Sequence, residues 1–252
     1  MKHLIIAFSF LILASCKTNV NRSGLMPGSG SDLRFPQLAS TWDEAIPLGN
    51  GMLGALIWEK DNRLRFSLDR ADLWDLRPME NLDKPEWKYQ WVKEQWEKNN
   101  YSLVQNMFDA PYDRNPAPSK IPGGALEFDI SSFGEVESVE LKLENALCII
   151  KWKNGITLET FVNAESPVGW FRFQGTEDEL IPYFMAPSYT IDTQSGTDNS
   201  HSGQDLRLLG YPDGEIMTEN NSVTYNQEGW GGFKYQVNVR WQKVDNVTEG
   251  CW

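Results

Sequence analysis

From residue 233 to residue 241 the chain alternates without a break. Phe233, Tyr235, Val237, Val239 and Trp241 fall on one side, and Lys234, Gln236, Asn238 and Arg240 on the other. A period of two belongs to a strand with one buried face. The same pattern recurs in "LGALIWE" and "RLRFSLD", which meet at Lys60-Asp61-Asn62 with Leu64, Phe66 and Leu68 on one face. It returns in "ALEFDI", "VELKLE" and "VGWFRFQG", and in "ALCIIKWK" and "ITLETFV", which flank Asn154-Gly155. Asn-Gly accepts the positive φ angles of a tight hairpin. One interval, residues 85 to 108, has helical spacing instead: Trp87 and Trp91 lie four apart, Trp96 is near the same face, and Tyr101, Val104 and Phe108 continue the stripe after Asn99-Asn100. Residues 177–221 are polar and read as loops with short strands. Many strands with short turns and little helix predict a mainly β chain, an antiparallel β-sandwich with a short helical insertion. The 252 residues are enough for one large β domain with a substantial core.

Charge narrows the function. With 23 basic and 35 acidic residues the net charge is −12, which argues against a nucleic-acid or anionic-membrane surface. Neutral substrates such as sugars fit better. The eleven tryptophans serve either as core residues or as platforms for sugar rings. Only His3 and His201 are present, and no cysteine–histidine cluster exists, so neither a metal site nor a Ser-His-Asp triad is expected, and no cofactor is implied. Cys148 lies in an apolar strand and reads as a buried thiol; a Cys148–Cys251 disulfide stays open.

The N-terminus carries a basic start and an apolar run over residues 4–13, too short to span a bilayer but suited to a signal peptide. It ends in Leu13-Ala14-Ser15-Cys16, which resembles the lipobox of bacterial lipoproteins. That resemblance implies cleavage before Cys16, its lipidation, and a lipid-anchored protein of the bacterial cell envelope held to a membrane without a transmembrane helix. The expected organisation is a signal over residues 1–15, a Ser/Gly/Asn/Pro-rich tether over 16–40, and one β-sandwich over 41–252.

The stretch "PLGNGMLGALIW" places three glycines and Asn50 ahead of a strand. A phosphate loop needs a strand before the glycines, a helix after them and a lysine for the phosphates, whereas here the glycines precede a strand and no Gly-Lys-Ser/Thr follows. The remaining reading is a tight turn with the Asn50 amide left to point elsewhere. The longer segment "TWDEAIPLGNGMLGALIW…RLRFSLDRADLW" resembles the N-terminal signature of glycoside hydrolase family 95, the α-L-fucosidase-like enzymes, through Trp42, Pro47, Gly51, Leu53, Ala55, Asp72 and Trp74. "NNYSLVQNMF", "PGGALEFDI", the paired strands around Asn154-Gly155 and "EGWGGFKYQVNVRW" continue the likeness across roughly residues 36 to 244. The resemblance implies a supersandwich-type β-sandwich whose catalytic glutamic acid and aspartate sit in a separate helical barrel. This chain ends at Trp252, so no catalytic residues are assigned to it, and a truncated hydrolase is expected. The alternative is a standalone glycan-binding or scaffolding lipoprotein. Trp42, Asn50, Trp74 and Trp230 are the candidate glycan or domain-interface contacts. Asp69, Asp72 and Asp75 read as solvated or turn-capping, and Asp75-Leu76-Arg77-Pro78 departs from the family's usual small turn.

Overall fold

The computed structural model describes residues 26–79, 83–111, 114–116, 118–190 and 206–252. Cys16, His3 and His201 lie outside them. Two antiparallel sheets face each other. The smaller has β2 (Ile46–Gly49), β3 (Leu53–Lys60), β4 (Arg63–Arg70), β7 (Ala125–Asp129) and β12 (Tyr183–Met185), in the order β12-β7-β4-β3-β2. The larger has nine strands: β1 (Leu33–Phe35), β8 (Val136–Lys142), β9 (Leu147–Trp152), β10 (Thr157–Val162), β11 (Gly169–Gln174), β16 (Val247–Cys251), β15 (Lys234–Val244), β14 (Ser222–Glu228) and β13 (Glu215–Glu219), in that spatial order. A two-stranded ribbon, β5 (Trp74–Asp75) with β6 (Ser119–Lys120), closes one end. The β-sandwich reading therefore holds.

The turns follow the local chemistry. Asp61 and Asn62 both take positive φ, 52° and 60°, and close the β3–β4 hairpin with Lys60 opposite Arg63. Facing residues of the two sheets form the main core, where Phe128 of β7 sits 4.9 Å from both Phe171 and Phe173 of β11. Burying each such ring contributes on the order of 1.5–3 kcal/mol. Strand β4 is covered on both faces: Leu64, Phe66 and Leu68 point into this core, while Arg65 on the other face is buried beside Glu127 at 2.5 Å. A second, small core gathers Leu73, Ile121, Tyr189, Leu209 and Tyr211 at the β5–β6 end.

Two expectations change, and one question left open is closed. The folded body begins earlier than residue 41, because Leu33–Phe35 pairs with β8 through its backbone, with its own side chains exposed, and Leu38 is buried. The helical insertion is two helices, α1 (Tyr89–Glu97) and α2 (Tyr101–Phe108), broken where Asn99 turns to φ 54°. That turn swings the stripe apart: Trp87 and Trp91 pack on Phe108 at 4.4 and 6.3 Å, while Trp96 is exposed. Finally, Cys148 and Cys251 are free thiols. They lie on β9 and β16 with two strands between, so three inter-strand spacings of about 4.8 Å hold them far beyond disulfide reach.

Candidate functional site

The Asn50 turn is a clamp between the sheets. Asn50 Oδ1 accepts the backbone N–H groups of Met52 and Leu53 at 2.9 and 2.8 Å, which folds the turn. Its Nδ2 donates to the carbonyls of Asn163 and Ser166 at 2.8 and 3.1 Å, in the loop between β10 and β11 of the opposite sheet. Both amide hydrogens and the oxygen are thus used within the chain, and Asn50 has no donor left for a sugar or a second domain. Gly51 at φ +88° supplies the left-handed step that the turn needs.

Strand β4 leads from this clamp into the aspartates, which take three different roles. Asp69 pairs with Lys120 at 2.6 Å and Asp72 pairs with Arg70 at 2.8 Å, both at the surface. Asp75 is neither solvated nor a simple turn cap: its side chain is fully buried. Arg77 donates to it from the guanidinium at 2.9 Å and from the backbone N–H at 2.8 Å, and the Tyr211 hydroxyl donates at 2.5 Å. Burial pushes the Asp75 carboxyl up, but the hydrogen bonds from Arg77 and Tyr211 together outweigh it and hold it below its ordinary value. Burial likewise, together with the neighbouring Asp75 charge, pushes the Tyr211 hydroxyl up to about 12. So the turn Asp75-Leu76-Arg77 builds an anchor to a residue 136 positions away.

Two of the candidate tryptophans sit around this anchor. Trp74, next to Asp75 but facing the other way, is exposed; its indole N–H donates to the Ala71 carbonyl at 3.1 Å, and the Lys120 ammonium lies 6.0 Å from its ring. Trp230 is also exposed, and the Arg77 guanidinium that holds Asp75 lies 6.0 Å from its ring. Trp42 is not with them. It precedes β2, whose Ile46 is opposite Ile57, so it belongs to the far end of β3 from the Leu53–Arg70 pairing. Eight strand residues span about 25 Å.

A cleft of about 780 Å³ opens between these parts. Leu53, Leu68 and the segment Asp69 to Leu73 form one side, Pro167 and Val168 a second, β15 from Phe233 to Asn238 a third, and Trp252 one end. A separate, shallower hollow of about 450 Å³ lies on the outer face of the large sheet. There Phe161 and Trp170 stand directly opposite each other on β10 and β11, both exposed, beside Glu159, Arg172, Gln242 and Glu249. Gln242 donates to Glu249 at 2.9 Å, and Arg172 is 3.6 Å from the same carboxylate. Neither ring was singled out from the sequence, although the alternation Trp170/Arg172 against Phe171/Phe173 was a readable sign that Trp170 faces out. Among the described residues no group of three His, Cys, Asp or Glu side chains is placed to hold a metal.

Residues 33–248 match the family model described as glycosyl hydrolase family 65, N-terminal domain. The chain belongs to that family. No curated protein matches it. The glycoside hydrolase N-terminal β-sandwich expected from the sequence is therefore shown, with family 65 rather than family 95 as the family the model names. The match starts at β1, where the sheet itself starts.

Proposed function

We propose that the chain is the non-catalytic N-terminal β-sandwich of an exo-acting glycoside hydrolase, of the α-L-fucosidase-like type that its signature segment resembles. In this reading the sandwich holds and orients a catalytic barrel. The observation that carries it is the family-65 N-terminal match over residues 33–248, joined to the signature hairpin whose end, with Trp74 and the Asp75–Arg77–Tyr211 anchor, lies at one pole of the sandwich. A pole with exposed aromatic rings suits a docking platform. Lipidation of Cys16 would hold the protein at the bacterial envelope, a reading that rests on Leu13-Ala14-Ser15-Cys16.

Reading the coding DNA beyond the Trp252 codon tests the hydrolase assignment. An open frame encoding a helical barrel with a paired glutamate and aspartate is expected; a stop followed by no such frame refutes it. The anchor is tested by membrane fractionation, where Cys16→Ser is expected to release the protein, and unchanged retention refutes lipidation.

A second reading, a standalone glycan-binding lipoprotein, is favoured by the Phe161–Trp170 platform, because stacked aromatic faces bordered by planar polar groups are how neutral sugars are held. Affinity electrophoresis in soluble polysaccharide gels separates the two: Trp170→Ala abolishes retardation under this reading, and the absence of retardation for the unaltered protein refutes it.

A further inference from the structure

Directly opposed residues of an antiparallel sheet share a face, so the strand pairings lay out the hollow on the outer side of the large sheet. Phe161 lies opposite Trp170, Trp170 opposite Cys251, and Cys251 opposite Arg240. These four make one row across β10, β11, β16 and β15. Glu159, Arg172, Glu249 and Gln242 make the next row on the same face, about 6.8 Å along the strands. Between Trp170 and Arg240 stands only the short Cys251 side chain, and the neighbouring Gly250 lines the hollow with backbone alone. Two strand spacings, about 9.6 Å, separate the backbones that carry the indole and the guanidinium. One sugar ring fits over that dip.

The charges around it are unevenly satisfied. Glu249 accepts from Gln242 at 2.9 Å and has Arg172 at 3.6 Å. Arg240 and Glu159 are both exposed, and neither has an ion-pair partner among the described residues. They stand at opposite ends, Glu159 on β10 beside the aromatic rings and Arg240 on β15. A carboxylate is drawn to the Arg240 end and repelled from the Glu159 end, whereas hydroxyl groups can donate to Glu159. A neutral sugar makes use of the rings and of Glu159 but not of the Arg240 charge. We propose that the hollow binds a glycan through a hexuronic acid residue, with its ring stacked on Trp170, its carboxylate held by Arg240 and its hydroxyls turned to Glu159. This rests on the sugar-platform reading of Phe161 and Trp170 and adds the class of sugar. The carboxylate of a uronate stands on the rim of the pyranose ring, not on its face, so stacking leaves it free to reach sideways. The planar guanidinium fork then meets it with two parallel N–H···O bonds. A volume of about 450 Å³ is small for a ligand site and suits one or two rings. The net charge of −12 repels a polyanion, so the fitting ligand is a single uronate on an otherwise neutral glycan.

Saturation-transfer NMR titrations of the full chain with methyl β-D-glucuronide and methyl β-D-glucoside test this. The two sugars differ only in carrying a carboxylate or a hydroxymethyl group at C5. The glucuronide is expected to bind at least about fivefold more tightly, the gain from one charge-assisted pair at a partly exposed site. Arg240→Gln is expected to bring the two sugars within about twofold of each other. Trp170→Ala is expected to abolish the binding of both. Equal affinity of the unaltered chain for the two sugars overturns the uronate assignment and leaves the platform reading standing. Full preference retained in Arg240→Gln also overturns it, since the carboxylate would then be held elsewhere. Displacement of the glucuronide by an equal concentration of sodium acetate overturns it too, because a carboxylate alone would account for binding. Absence of transfer to either sugar overturns the assignment and the platform reading together.

Discussion

Replacing Asp75 by asparagine tests the anchor at the signature pole most directly. The side chain is fully buried, and it accepts hydrogen bonds from the guanidinium and the backbone of Arg77 and from the Tyr211 hydroxyl. The Arg77 side chain is only 17% exposed, so the substitution leaves a largely desolvated cation without its counter-charge. Removing one partner of a buried pair costs about 3–5 kcal/mol. In a domain of this size each kcal/mol moves the midpoint by about 2–4 °C, which puts the expected fall in Tm near 10 °C. Urea unfolding followed by tryptophan fluorescence gives the free energy. Glu97→Gln, which breaks the exposed Lys93–Glu97 helix pair, is the control and is expected to cost less than about 0.5 kcal/mol. The pH dependence adds a second reading. Asp75 is depressed in the folded state, so its contribution is complete above its ordinary value of 3.8 and is lost as the pH falls through the lower folded value. The variant should lack that part of the acid limb. A loss under about 1 kcal/mol, together with an unchanged acid limb, would refute the reasoning.

Asn50→Ala removes a clamp that closes four hydrogen bonds, so a loss of about 1–3 kcal/mol is expected in urea unfolding, with faster hydrogen exchange in the 163–166 loop. Gly169→Ala sets a Cβ about 2.1 Å from the buried Trp252 ring; the ring has to leave its place, and a fall in Tm with increased quenching of tryptophan fluorescence by iodide is expected. Burial pushes the Cys148 thiol up to about 12, so it should resist a thiol reagent at pH 8 until the chain unfolds, and added reductant should leave the Tm unchanged.

The strands were legible because their information is local. Alternation at residues 233–241 gave both β15 and its inward face, and Asn154-Gly155 gave the β9–β10 turn. Strand β13 was hidden because all five of its residues are exposed and leave no apolar rhythm to read. The site was less legible for a different reason. Asn50 was rightly marked as pointing somewhere, but its target lies 113 residues on. Asp75 looked like a surface turn because Tyr211 closes over it from the far end of the sequence. Trp42, close to Asn50 in sequence, is carried away by the length of β3.

The small core of Leu73, Ile121, Tyr189, Leu209 and Tyr211 has a bearing on how the molecule breathes. It shares no buried residue with the main core and gathers segments that come from four separate stretches of chain. Such a cluster can open as a cooperative unit of its own while the sandwich stays shut, at a free energy below that of global unfolding. Its opening would release Tyr211 from Asp75 and free the Trp230 loop together. A partner that settles on this pole gains by suppressing those excursions, so part of its affinity is drawn from order it imposes some distance from the surface it touches.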